Sequence, residues 1–320
     1  MTINSILLTI NLPAEALTFL GLFILLISAN YLIENIVSLA KKINVSKFAI
    51  ASCTIAFGTT MPELTTSLKS VLANPPHSGI AVGNLVGSNI ANILLIMGVS
   101  AIIFPVQIGS NKLINLELKI SAVILLFPAT IFFFNLDNNV SVFISLLMLL
   151  FFIWFFNERM RLEKKNTNEK INVKQSTFFL LSKIIFCVIG LIFGAGFLID
   201  GSVQIAQYYK VSERVIGLSL IAIGTSLPEL ITAIMASIKK RQGIALGTVL
   251  GANMYNILVL LSMVEIIQPT SIVKNIQSID IFVLGVSSFF LFLFIKNKKI
   301  TGLEGFILLF IYILYVYSIY

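Results

Sequence analysis

Apolar runs long enough to cross a bilayer recur ten times along this chain, and no other feature limits its fold so severely. They occupy roughly 16–40, 48–73, 80–105, 116–134, 140–157, 177–200, 212–238, 243–267, 278–295 and 302–319. A helix needs about 20 apolar residues to traverse a hydrocarbon core of about 30 Å. Inside lipid the backbone must satisfy its own hydrogen bonds, which an isolated run of this length achieves only as a helix. Outer-membrane strands would appear as shorter, alternating segments. Composition agrees: of 320 residues, 58% are hydrophobic and 11% charged, and the mean hydropathy is +1.00. Water-soluble domains carry about a quarter charged residues. A soluble enzyme and a nucleic-acid-binding domain are excluded. The expected fold is an all-α membrane protein of ten transmembrane helices.

The net charge of +8 belongs, in so apolar a chain, to loops that fix orientation. Seventeen of the 22 basic residues fall on one side: Lys41, Lys42, Lys47, Lys112, Lys119, six between Arg159 and Lys174, Lys239 to Arg241, and Lys296, Lys298 and Lys299. Only Lys210, Arg214 and Lys274 fall on the other. Both termini are therefore expected outside, and the polar stretch 158–176 is expected to be a cytoplasmic linker. It separates a first repeat (1–157) from a second (177–320), in a multi-pass protein of the cytoplasmic membrane. The first residues lack the basic and A-x-A elements of a removable signal peptide. Cys53 and Cys187 lie inside apolar runs and read as small buried side chains. The Phe-rich stretches 132–134 and 151–156 are expected to face lipid, and His77 a loop.

The halves repeat each other. Asn44–Ser70, NVSKFAIASCTIAFGTTMPELTTSLKS, aligns with Lys210–Ala236, KVSERVIGLSLIAIGTSLPELITAIMA, at an offset of 166. A second block, GNLVGSNIANILL from Gly83, aligns with GTVLGANMYNILV from Gly247 at 164. Glu34 and Asp200 also align, and both read as interfacial. Each half holds five runs, an odd number, so the second copy must enter the membrane from the opposite face. Inverted repeats of this kind place substrate near the midplane, between the repeats, on helices broken there.

Glu63 and Glu229 lie near the middle of runs 2 and 7. An acid at that depth costs at least about 2.5–3.5 kcal/mol and needs a partner or a function. Helical spacing groups Thr59, Thr60 and Glu63 on one face, and Thr225, Ser226 and Glu229 likewise. Pro62 and Pro228 lack an N–H and loosen the carbonyls of Gly58 and Gly224. Thr60-x-x-Glu63 and Ser226-x-x-Glu229 also have the form of capping boxes, so a new half-helix is expected to begin at each. Ser88 and Asn92 share a face of run 3, with Ala252 and Asn256 at the matching places in run 8. Gly83, Gly87, Gly247 and Gly251 form small-xxx-small pairs for close packing. One T-x-x-P-E could be a kink with a tethered acid; two copies at matching depth argue for function. The inventory is hard oxygen, which suits Ca²⁺ and Na⁺.

At GTTMPELTTS, GTSLPEL and the two glycine blocks, the chain resembles the Ca²⁺/cation antiporter superfamily, especially the prokaryotic Na⁺/Ca²⁺ exchangers. The resemblance covers nearly the whole chain. It implies that Glu63 and Glu229 bridge Ca²⁺, with backbone oxygen from Thr59 and Thr225. It implies one Na⁺ site lined by Thr60, Ser88 and the Ala56 carbonyl, and another by Ser226 and the Ala222 carbonyl. Asn92 and Asn256 complete the middle. Three positions depart from the family pattern: Thr60 replaces serine, Ala252 removes a Na⁺ ligand, and Asn256 stands where K⁺-dependent members carry aspartate. K⁺-independent exchange of Na⁺ for Ca²⁺ is the implied activity, by a monomer with lipid around it, no cofactor and no nucleic-acid partner. Ca²⁺/H⁺ antiport remains an alternative, since the lost ligand leaves the coupling ion open. A cation channel would use the same carboxylates, although inverted symmetry within one chain argues against a ring-like pore. No P-loop and no H-E-x-x-H is present, which argues against a built-in ATPase and a zinc protease.

Overall fold

A computed structural model describes residues 13–43, 45–108, 112–134, 137–165, 176–209, 224–269 and 271–319. The described chain is helical apart from one two-residue ladder. In chain order the helices are α1 (Ala14–Ile43), α2 (Lys47–Thr59), α3 (Met61–Val71), α4 (Ser78–Ile103), α5 (Lys112–Ile124), α6 (Phe127–Phe134), α7 (Asn138–Lys165) and α8 (Thr177–Tyr208). They continue with α9 (Leu227–Ile238), α10 (Gln242–Ile267), α11 (Ser271–Asn275), α12 (Ser278–Asn297) and α13 (Gly302–Ile319). Strands β1 (Val106–Gln107) and β2 (Lys299–Ile300) pair antiparallel, Val106 opposite Ile300.

Eight helical stretches are long and apolar enough to cross a membrane, α5 and α6 together making one of them. The expected run 48–73 is instead two short helices, α2 and α3, meeting at Thr60. The expected run 212–238 is described from Gly224 onward. Pro62 explains the break at Thr60, because it has no N–H to continue the ladder of α2. It sits in the first turn of α3, where that lack costs nothing.

Burial sorts the helices into layers. In α10, 94% of the apolar window is buried and in α4 72%, against 17% in α7 and 22% in α13. The two most enclosed helices carry the glycine blocks. A Cβ on Gly247 would lie 2.6 Å from the carbonyl oxygen of Phe48, and one on Gly251 would strike the Ser52 carbonyl. Glycine therefore lets α10 lie directly on the backbone of α2. Under the repeat, the partner of Gly83 and Gly87 falls in residues 210–223, outside the described residues. At the edge, α1 and α8 pack along their length through Gly21 and Gly194, which touch each other's backbones. Phe133, Phe134, Phe178 and Phe186 project outward, as expected for a lipid-facing surface.

Two expectations need correction. The stretch 158–176 is not aqueous from its start: α7 continues to Lys165, and Arg159 is buried, 3.1 Å from Glu117 of α5. Its guanidinium also donates to the Ser52 hydroxyl and to Cys53 Sγ of α2, and lies over the Phe48 ring. The Phe-rich stretch 151–156 is only partly outward. Phe155 is buried and Phe152 packs on Tyr255 at 5.0 Å between ring centres, while Trp154 is exposed. An α-helix turning 100° per residue cannot direct six consecutive residues to one face.

Candidate cation-binding site

The repeated proline break creates two matching corners. Thr60 and Ser226 adopt φ/ψ of −81°/4° and −89°/8°, between the helical and extended regions. Glu63 and Glu229 then fall in the first turn of α3 and α9, where a helix N-terminus favours negative charge. The expected capping boxes do not form, since neither Thr60 nor Ser226 caps its helix through its side chain. Thr60 Oγ1 donates to the Phe57 carbonyl at 3.2 Å. Ser226 Oγ reaches the opposite half instead and donates to Glu63 Oε1 at 3.0 Å. A buried carboxylate is the stronger acceptor, because a charge-assisted hydrogen bond outweighs a neutral one.

Around Glu63 the two halves interlock. Ser88 Oγ of α4 donates to Glu63 Oε1 at 3.3 Å and lies 2.9 Å from Ser226 Oγ. Asn256 Nδ2 of α10 donates to Ser88 Oγ at 3.1 Å. Asn92 Nδ2 donates to Asn253 Oδ1 at 2.8 Å. Asn92 and Asn256 stand in segments of wider, π-helical winding, Asn92–Ile96 and Tyr255–Leu261, a local form that recurs at functional sites.

Glu229 is different. It is fully buried, and neither carboxylate oxygen has a hydrogen-bond partner among the described residues. Glu63 is near enough for its charge to act on it. Thr59 Oγ1 turns back to the Ile55 and Ala56 carbonyls at 3.2 and 3.4 Å. The Ala56 carbonyl also accepts Thr60 N–H at 3.0 Å. Thr225 Oγ1 donates to Asn84 Oδ1 at 3.1 Å. Ala222 lies outside the described residues.

Among the described residues neither acid forms an ion pair, the two ion pairs there being Arg159–Glu117 and Lys239–Glu34. Five buried acceptor oxygens have no donor: both of Glu229, Oε2 of Glu63, and Oδ1 of Asn92 and Asn256. Leaving a buried acceptor unmet costs about 1–3 kcal/mol. They are hard oxygens, the ligand type that alkali and alkaline-earth cations take.

The family profile described as sodium/calcium exchanger protein matches residues 15–156 and 179–320. The chain belongs to the sodium/calcium exchanger family. It is 33% identical over 300 residues to an uncharacterized membrane protein of Methanocaldococcus jannaschii, spanning 94% of this chain and 96% of that one. It is 28% identical over 340 residues to the sodium/calcium exchanger MaX1 of Methanosarcina acetivorans, spanning 92% and 95%. A solved structure of the sodium-calcium exchanger NCX_Mj superposes with a TM-score of 0.80 at 31% identity, covering 96% of this chain and 99% of that one. The match establishes a multi-pass helical membrane protein of the exchanger fold.

In this exchanger eight of the residues singled out from the sequence fall into three groups, while Glu229 stands apart from them, Thr225 bonds to Asn84 and Ala222 lies outside the described residues. Glu63, Ser88, Ser226 and Asn256 form one hydrogen-bonded cluster; Asn92 joins the second half through Asn253; Thr59, Thr60 and the Ala56 carbonyl bond within their own corner. Asn84 and Asn253 were not singled out. The signal for Asn253 was legible as N-x-x-N at 89–92 and again at 253–256.

Proposed function

We propose that this exchanger is a secondary antiporter that moves Ca²⁺ out of the cytoplasm in exchange for entering Na⁺, without ATP and without K⁺. The observation that carries the reading is the pair of fully buried glutamates, one per half, beside acceptor oxygens and no basic side chain among the described residues. Glu63 and Glu229 neutralise one Ca²⁺, aided by backbone oxygen of Thr59 and Thr225. Thr60, Ser88 and the Ala56 carbonyl serve one Na⁺ site, Ser226 and the Ala222 carbonyl another, and Asn92 and Asn256 the middle. A Ca²⁺ and a Na⁺ about 4 Å apart repel by roughly 8 kcal/mol at an effective dielectric constant of about 20. The ions therefore exclude each other, which exchange requires.

Ten crossings in two inverted five-helix repeats, 1–157 and 177–320, with 158–176 inside and both termini outside, complete the proposal. The protein works as a monomer in the cytoplasmic membrane. Alternating access comes from α1 and α8 sliding as a pair against the core. Asn256 supports K⁺ independence, because an amide adds no charge to hold a further cation. Ala252, which offers a methyl group where a Na⁺ ligand would stand, favours a second reading, Ca²⁺/H⁺ antiport.

The test is ⁴⁵Ca²⁺ uptake into proteoliposomes under imposed Na⁺, K⁺ or pH gradients. Uptake driven by outward Na⁺ alone is expected, lost in Glu63→Gln and in Glu229→Gln while both remain folded. Uptake driven only by pH would establish the second reading. Wild-type flux in either glutamine variant would overturn the site assignment.

A further inference from the structure

The amide of Asn84 bridges three elements beside the site. Its Nδ2 donates to Ser67 Oγ at 3.0 Å and to the Glu63 carbonyl at 3.3 Å, both on α3. Its Oδ1 accepts from Thr225 Oγ1 at 3.1 Å. Asn84 itself stands on α4. One side chain thus ties the corner of the second half to the helix that carries the acid of the first.

The other half has no such tie. Under the repeat offsets of 164 and 166, the counterparts of Asn84, Ser67 and Thr225 are Thr248, Ala233 and Thr59. Thr248 is fully buried and its hydroxyl has no partner among the described residues. Thr59 bonds backward, to the Ile55 and Ala56 carbonyls of α2, and lies within reach of Glu229 on its own side of the site, with no amide to tie it to another helix. A threonine side chain is one donor on a short stem, whereas an amide offers two donors and an acceptor in one plane. The amide of Asn84 makes a bridge that the single hydroxyl of Thr248 does not make.

The consequence reaches the carboxylates. Ser226, next to the tethered Thr225, reaches Glu63, which also receives Ser88. At Glu229, on the untethered side, neither oxygen makes a well-formed hydrogen bond among the described residues, although Thr59 lies within reach. We infer that Asn84 is a positioning residue: by holding Thr225 against α3 it pre-forms the Glu63 half of the cation site, leaving the Glu229 half to close around the ion. A site built before binding costs less to order, so the tie raises cation affinity. This inference rests on the exchanger reading above.

Asn84→Thr installs the residue that the second half already tolerates, and Thr225→Val removes only the hydroxyl. Each should raise the Ca²⁺ concentration for half-maximal uptake by about threefold to tenfold, the worth of one or two buried hydrogen bonds. The maximal rate of Asn84→Thr should stay within about twofold. The double variant should be no worse than the weaker-binding single, because both break the same link. Ca²⁺-dependent thermal protection of the detergent-solubilised proteins should show the same order. If wild type is neither transport-competent nor protected by Ca²⁺, the exchanger reading falls and this inference with it. If wild type is active and protected, but Asn84→Thr matches it or the two substitutions add, Asn84 does not act through Thr225 and the inference alone is overturned.

Discussion

Ser88 and Ala252 occupy equivalent places in the two halves, and one hydroxyl separates them. Ser88 contacts Glu63, Ser226 and Asn256, whereas Ala252 is fully buried against Ala56 and Tyr255. If both places border Na⁺, the side with the hydroxyl holds the ion more firmly, because a missing ligand must be replaced by water or left empty. Ala252→Ser should therefore shift Na⁺ inhibition of Ca²⁺ uptake to lower Na⁺, and Ser88→Ala to higher Na⁺. An unmoved inhibition curve in Ala252→Ser would take Ala252 away from any Na⁺ site and favour H⁺ as the coupling ion. The two acids were legible in the sequence because a carboxylate in a membrane run is expensive and here occurs twice at one depth. Asn84 was not legible, since an asparagine in an apolar helix has many local uses. Only the fold reveals that its amide faces Ser67 and Thr225.

Among the elements, α2 was the least predictable. Its sequence reads as half of one long run, yet it is a short helix with π winding over Ala51–Ile55. Its side is held by Arg159 of α7, which pairs with Glu117 of α5 and donates to Ser52 and Cys53. Both charges are almost fully enclosed, 6% and 1% exposed. Removing one partner of such a pair costs about 3–5 kcal/mol, because the other charge stays buried with its main counter-charge gone. Arg159→Leu should thus lower the unfolding temperature in detergent by several degrees, since 1 kcal/mol shifts a domain of 150–250 residues by about 2–4 °C and a larger chain by less. The double variant Arg159→Leu, Glu117→Leu should recover much of the loss. Equal instability of the single and double variants would show that the pair's charges are not what matters. The charge count could not anticipate this, because position in sequence alone assigned Arg159 to the loop with its basic neighbours.

At the scale of the whole molecule, the core of α2, α3, α4, α9 and α10 carries the candidate site, and α1 and α8 lie against it as one long pair. The orientation proposed from the basic loops predicts that Thr167→Cys and Asn138→Cys, in a Cys53→Ala, Cys187→Ala background, label from opposite sides, with Thr167 cytoplasmic. Labelling of both from outside intact cells by an impermeant reagent would reject it. The small ladder between β1 and β2 bears on the same question through parity. Val106 pairs with Ile300, and residues hydrogen-bonded to each other must share one side of a layer about 30 Å thick. The chain between them must then traverse the bilayer an even number of times. The α5–α6 stretch, α7, α8, α10 and α12 supply five traverses. An even count asks for one crossing beyond these five, which the ten-crossing arrangement proposed above would supply. A ladder of two residues thereby speaks for the proposed ten crossings over a count of the long helices alone.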